Sequence, residues 1–225
     1  KKNHWKGWLP VDHLPRIYDP PCGFVATANE NINQPHGPRL VTQPVPAYRK
    51  IRLQTRLEQM PQATLQDMQQ LQYDLVSVQA RDMLNVFLPH LPEGEIKDRL
   101  SNWDYSYSPD SREATLFQRL YRNVMVEVFG HEEGIGWRRM LYLCTRAGFS
   151  TMVLTAADNL LKRQDSIWWH KRDKGELIRK AAEQLENEPD QPWSDVNYFH
   201  FTDRFFGTHQ VGRMLGYNSR RHAMP

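Results

Sequence analysis

Cysteine is almost missing from this chain: Cys22 and Cys144 are the only two in 225 residues, and they fit neither metal nor redox spacing. A disulfide framework and a zinc ribbon are set aside on that ground, and both thiols are expected to be buried as small hydrophobes. Long apolar runs are missing too. None approaches the ~18 residues needed to cross a bilayer, and no signal-peptide pattern occurs, so no membrane partner is expected. A dominant charge sign is lacking, with 29 basic against 26 acidic residues and a net charge of +3. The basic residues are interleaved with acids rather than massed, which gives no reason to expect a nucleic-acid partner. There is no P-loop, no dinucleotide fingerprint and no G-x-S-x-G elbow. Internal repeats and low-complexity segments are also absent.

What is present is an ordinary globular composition, 40% hydrophobic and 24% charged. Eight of the fifteen prolines fall before residue 47, so residues 1–45 read as turns and short extended pieces. Within them Phe24-Val25-Ala26-Thr27-Ala28, bounded by Gly23 and Asn29, is the one segment with strand character. From residue 46 to about 190 the periodicity becomes helical. Thr64-Leu65-Gln66-Asp67 has the form of a capping box, and Leu65, Met68, Leu71, Leu75 and Val78 then predict one long amphipathic helix running towards Pro89. Asp110-Ser111-Arg112-Glu113 predicts a second start, followed by Leu116, Leu120, Val124 and Val128 up to Gly130. Trp137, Met140, Leu141 and Cys144 predict a third helix with Gly148 as its stop. Leu177, Ile178, Ala181, Ala182 and Leu185 predict a fourth. The fold class expected is mainly α, and residues 191–225 are expected to be an irregular return segment.

Candidate chemistry is sparse. His131-Glu132-Glu133 lacks the second histidine of an H-E-x-x-H zinc motif, and Glu132 and Glu133 face different directions on a helix. His200 and His209 flank the aromatic run Phe201 to Phe206, where core or surface histidines are the ordinary reading. Arg220-Arg221-His222 reads as a solvated turn.

The stretch GFVATANENI, residues 23–32, is the informative one, because a strand-like run ends in two uncharged amides, Asn29 and Asn31. Asparagine is a common turn residue, yet its amide is also a neutral hydrogen-bond donor that can face a site. The surrounding order is distinctive: Trp5-Lys6-Gly7-Trp8-Leu9-Pro10, Leu14-Pro15, Tyr18-Asp19-Pro20, then Gly23 to Asn29. Tyr48-Arg49-Lys50-Ile51-Arg52, Leu100-Ser101-Asn102-Trp103-Asp104 and Trp168-Trp169 follow. As an ensemble this resembles the penicillin acylase family of N-terminal nucleophile hydrolases. Two departures stand out: Glu30 where many members carry a second Asn, and His170 where an acid is usual.

The resemblance implies an internal part of the β subunit of an amide hydrolase made as a self-cleaving precursor. Lys1 is no nucleophile, and the absence of an initiator Met together with the ending NSRRHAMP reads as a piece cut from a longer chain. The N-terminal Ser, Cys or Thr is therefore expected upstream. The resemblance implies that Asn29 is an oxyanion-hole donor and that Arg49 lies at the active site. It implies that residues 1–45 belong to an αββα core, that 46–190 form a helical domain, and that 191–225 return towards the core. It implies a small-molecule N-acyl amide substrate, of the antibiotic or acyl-homoserine lactone kind. The expected partners are the α subunit and the remainder of the β subunit, in a periplasmic or secreted bacterial protein. No cofactor is expected in this chain. Calcium is conceivable in the complete enzyme, but Gly37-Pro38-Arg39-Leu40 lacks the aspartate that some members use for it. The competing expectation is a non-catalytic helical interaction module that retains the acylase scaffold.

Overall fold

The computed structural model describes residues 7–42, 44–145, 150–169, 171–203, 205–207 and 209–223. Trp5, Lys6, Gly148 and His170, which carried expectations above, lie outside the described residues, as does Lys1. The chain is mainly helical and divides into two compact units, residues 1–73 and 74–225.

In the first unit an extended path leads to helix α1 (Tyr48–Glu58) and helix α2 (Leu65–Gln72). The path contains a 3-10 turn at Val11–His13. It reverses at Pro20, where the Gly23 N–H donates to the Pro20 carbonyl at 2.8 Å. Gly23 has φ 75°, a value that favours glycine. The strand expected at residues 24–28 does not form; the segment is irregular. A strand needs a ladder partner for its N–H and C=O groups, and among the described residues none runs alongside it. Helix α2 has the expected capping box: Thr64 Oγ1 accepts from the Asp67 N–H at 3.2 Å, and Asp67 Oδ2 accepts from the Thr64 N–H at 2.8 Å. Neither α1 nor α2 buries a residue.

The long helix expected from Leu65 onward is broken at 73–77, for a reason visible in the second unit. There Tyr107 N–H donates to the Leu75 carbonyl and Ser77 N–H to the Tyr105 carbonyl, at 3.0 and 2.9 Å. Val76 and Ser106 form an antiparallel bridge. These backbone groups are therefore engaged across the chain and unavailable to a helix ladder. Ser77 restarts the helix by accepting from the Ala80 N–H at 3.1 Å, giving α3 (Val78–Phe87). Helix α4 (Glu95–Ser101) precedes α5 (Arg112–Phe129), whose N-cap is Ser111 rather than Asp110.

Helix α5 is the axis of the second unit. Phe117, Leu120, Val124, Met125 and Val128 are fully buried along it. It packs against α6 (Trp137–Thr145) and α8 (Lys174–Glu183). All five predicted apolar positions of the last helical pattern, Leu177 to Leu185, are buried. In α6 only Met140 is, while Trp137 stays 55% exposed. Helix α7 (Ser150–Leu161) contributes Leu161 and the buried carboxylate of Asp158, which accepts from Tyr121 Oη at 2.6 Å and Gln79 Nε2 at 2.9 Å. Arg172 donates to the Glu127 and Val128 carbonyls at 3.0 and 3.2 Å, satisfying the C-terminal end of α5. Beyond it, Arg119 and Arg122 on α5 hold the 188–189 backbone segment through Glu188 and the Pro189 carbonyl.

Residues 191–225 are less irregular than expected. They carry the short helix α9 (Trp193–Val196) and an antiparallel pair, β1 (Tyr198–Thr202) with β2 (Asn218–Ala223), with α10 (Gln210–Met214) between them. Both cysteines are free, but Cys22 is exposed and Cys144 only partly buried, so the burial expectation fails for Cys22. Burial pushes the Cys144 thiol up to about 11. Among the described residues no helix is long and apolar enough to cross a membrane.

Candidate functional site

The loop after Ala28 is built from polar side chains that grip backbone. Asn29 has φ 64°, in the left-handed region that asparagine tolerates better than most residues. Its carbonyl accepts from the Val45 N–H at 3.1 Å. From the first turn of α1, Arg49 Nη2 donates to the Ala28 carbonyl at 3.0 Å and to Asn29 Oδ1 at 2.8 Å. The two residues singled out from the sequence, twenty positions apart, are thus in direct contact. A guanidinium offers only donors, so the amide atom facing it must be oxygen. The Asn29 NH2 is consequently turned away from Arg49, on an exposed side chain.

Glu30 was read from sequence only as a departure, but it is the second anchor of this loop. Its side chain is 6% exposed, and Oε2 accepts from the Ala28 N–H at 2.7 Å and from Thr27 Oγ1 at 3.3 Å. Lys50 Nζ lies 3.1 Å from Oε1. The Ala28 N–H bond, helped by Glu30's own backbone N–H and then by Lys50, outweighs the cost of burial and holds the carboxyl down at about 2. Consecutive residues of α1, Arg49 and Lys50, therefore grip consecutive residues of the loop, Asn29 and Glu30.

The other asparagines do different work. Asn31 Oδ1 accepts from the Asn33 N–H at 3.1 Å, an ordinary Asx turn. Asn33, which the sequence reading passed over, closes the next loop: its Oδ1 accepts from the Leu40 and Val41 N–H groups and its Nδ2 donates to the Val41 carbonyl. The 37–40 segment is therefore tied through the Leu40 N–H to an amide and carries Arg39 but no carboxylate. Among the described residues no group of three or more His, Cys, Asp or Glu side chains could hold a metal ion.

Two of the remaining motifs, Leu100 to Asp104 and Trp168-Trp169, serve the interior of the second unit. Leu100 and Trp103 are buried; Trp103 Nε1 donates to the Ser106 carbonyl at 3.2 Å, and Asp104 Oδ1 accepts from the Ser106 N–H at 2.9 Å. Trp169 is buried beneath the Lys174 ammonium, and Trp168 packs edge-on against Phe129. Phe205 meets the His209 ring at 6.2 Å, while an approach of His200 to His209 lies outside what is described.

Comparison with known proteins agrees with the motif order. The family model described as penicillin amidase matches residues 1–223. The chain is also similar to the penicillin acylase 2 proenzyme of Pseudomonas sp. (strain SE83), 29% identical over 127 residues. That match covers 54% of this chain and 16% of the relative's length. With the family model reaching from residue 1 to residue 223, this chain belongs to the penicillin amidase family.

Proposed function

We propose that this chain is an internal part of the β subunit of an N-acyl amide hydrolase and supplies one of its oxyanion donors. The nucleophile is the N-terminal Ser, Cys or Thr of the mature β subunit and lies outside these 225 residues. Its α-amine, with an ordinary pKa of about 7.7–8.0, takes the side-chain proton near neutral pH. Attack on the amide carbonyl forms a tetrahedral oxyanion, the amine leaves with a proton, and water releases the acid from the acyl-enzyme.

Asn29 Nδ2 donates to the oxygen that gains charge in that tetrahedral state. A neutral amide does this without a resting charge that needs a counterion. Arg49 holds the amide by its oxygen, and a cation bonded there polarises the amide so that its N–H groups donate more strongly. The contact between Arg49 Nη2 and Asn29 Oδ1 is the observation that carries this reading. The extended path before α1 and the β1–β2 pair belong, in this reading, to the layered αββα core of the complete enzyme. The rest of the β subunit and the α subunit of one precursor complete the pocket, as the word proenzyme in the relative's name suggests. The substrate is a small molecule with a linear N-acyl amide, such as the acyl side chain of a β-lactam or of an acyl-homoserine lactone, hydrolysed in the bacterial periplasm or outside the cell, without a cofactor bound to this chain.

The test is kinetic, in the complete enzyme. Replacing Asn29 with Ala is expected to lower kcat by about 10²–10³ while KM changes little, since the neutral ground-state carbonyl needs the bond only weakly. Asn31→Ala removes an Asx-turn acceptor and is expected to lose far less. Near wild-type kcat for Asn29→Ala would remove Asn29 from the oxyanion hole.

A further inference from the structure

Asn29 is held by more than Arg49. Its left-handed turn is flanked by the buried Ala28 N–H, which donates to the Glu30 carboxylate at 2.7 Å, and a buried N–H left without an acceptor is costly. The same carboxylate reaches the helix through Lys50, the residue that follows Arg49. One carboxylate thus ties the backbone before Asn29 to the first turn of α1, and that turn carries the guanidinium on the Asn29 amide. The two grips share an element, so loosening Glu30 or Lys50 lets Arg49 shift relative to Asn29 Oδ1. An oxyanion donor depends on such fixity, because its advantage over water is that it needs no reorganisation when charge appears.

We infer that Glu30, through its bonds to the Ala28 N–H and Lys50, is a positioning residue that aims the Asn29 amide. This rests on Asn29 being the oxyanion donor. It goes beyond that reading by assigning a role to a residue that the motif resemblance leaves without one.

Glu30 touches no reacting atom, so its effect runs through Asn29 and must vanish when Asn29 is absent. The experiment is a double-mutant cycle in the complete enzyme, reading kcat and KM separately for Asn29→Ala, Glu30→Ala and the double variant. Glu30→Ala is expected to lower kcat by about 10–30-fold with KM nearly unchanged, short of the ~10²-fold that a full 1 Å misplacement can cost. In the Asn29→Ala background the same change is expected to cost less than about twofold, the strong coupling expected of contacting groups. Lys50→Met and Glu30→Gln disturb the loop less, so they carry the test should Glu30→Ala fail to mature. Each is expected to lower kcat about threefold alone and to have no effect without Asn29, as milder misplacement of a donor should. Equal losses in both backgrounds, or a rise in KM at constant kcat, would make Glu30 a merely structural residue and overturn the inference while leaving Asn29 in its role. Wild-type kcat for Asn29→Ala would overturn both.

Discussion

The two compact units are held by different physics. Residues 74–225 contain a continuous apolar core in which α5 and α8 bury one face each, with Phe117, Leu120, Val124 and Ile178 almost wholly removed from water. Residues 1–73 bury one apolar side chain, Ala28, among those described, while Trp8, Val11, Ile17, Tyr18 and Leu65 remain exposed. Their order comes from side-chain oxygens and cations closing on backbone: Glu30 on the Ala28 N–H, Asn33 on 40–41, Arg49 on 28–29 and Thr64 with Asp67. A core tolerates volume-conserving exchange of its parts. A clamp of single polar bonds does not, but it fixes the direction of one amide in a way that apolar packing cannot.

The largest stability effect is therefore expected in the second unit. Phe117→Ala should destabilise by about 3–5 kcal/mol through lost burial and a residual cavity. Leu65→Ala in the first unit, at a residue 78% exposed, should stay within about 0.5 kcal/mol. Urea unfolding of both variants measures the contrast, and equal losses would erase it. A smaller effect is expected for Arg172→Met, which orphans the carbonyls at the end of α5 and should cost about 1–3 kcal/mol by the same assay.

Which parts were legible from sequence follows the same divide. The apolar patterns of α5 and α8 predicted their buried faces because 3.6-residue periodicity and burial are the same statement for a helix packed on one side. The pattern from Leu65 to Val78 misled because it continues across a break set by backbone pairing with residues 105–107, which no local period encodes. Residues 24–28 have strand composition, but composition supplies no partner strand. At the site, Asn29 and Arg49 were visible through motif order alone. Glu30 is visible there only as a departure and Lys50 only as a member of the Tyr48 to Arg52 motif, since nothing in the local sequence says that the chain brings the two within 3.1 Å.

The polar clamp has a pH signature. The folded carboxyl of Glu30 sits at about 2 against an ordinary 4.5, so its contribution to loop order is fully present above about 4.5. That contribution is lost as pH falls from there through about 2. Hydrogen exchange at the Ala28 amide should show protection that is flat above this window and falls within it; carboxyl titration of Glu30 at its ordinary value would contradict the clamp. The one expected gain in stability belongs to the core. Thr115 is 2% exposed and its hydroxyl has no hydrogen-bond partner among the described residues, so Thr115→Val should leave thermal stability unchanged or raise it by up to about 1 kcal/mol.

The most direct test of the Asn29 assignment is Asn29→Asp in the complete enzyme, with kcat and thermal stability measured on the same preparation. The carboxylate keeps an oxygen for Arg49, and so keeps the clamp, but it exchanges the donating NH2 for a second acceptor that repels the oxyanion. The expected result is a loss in kcat of at least about 10²-fold with unchanged stability. A variant that folds equally well and retains kcat within a few-fold of wild type would show that the Asn29 amide donates to nothing in the reaction.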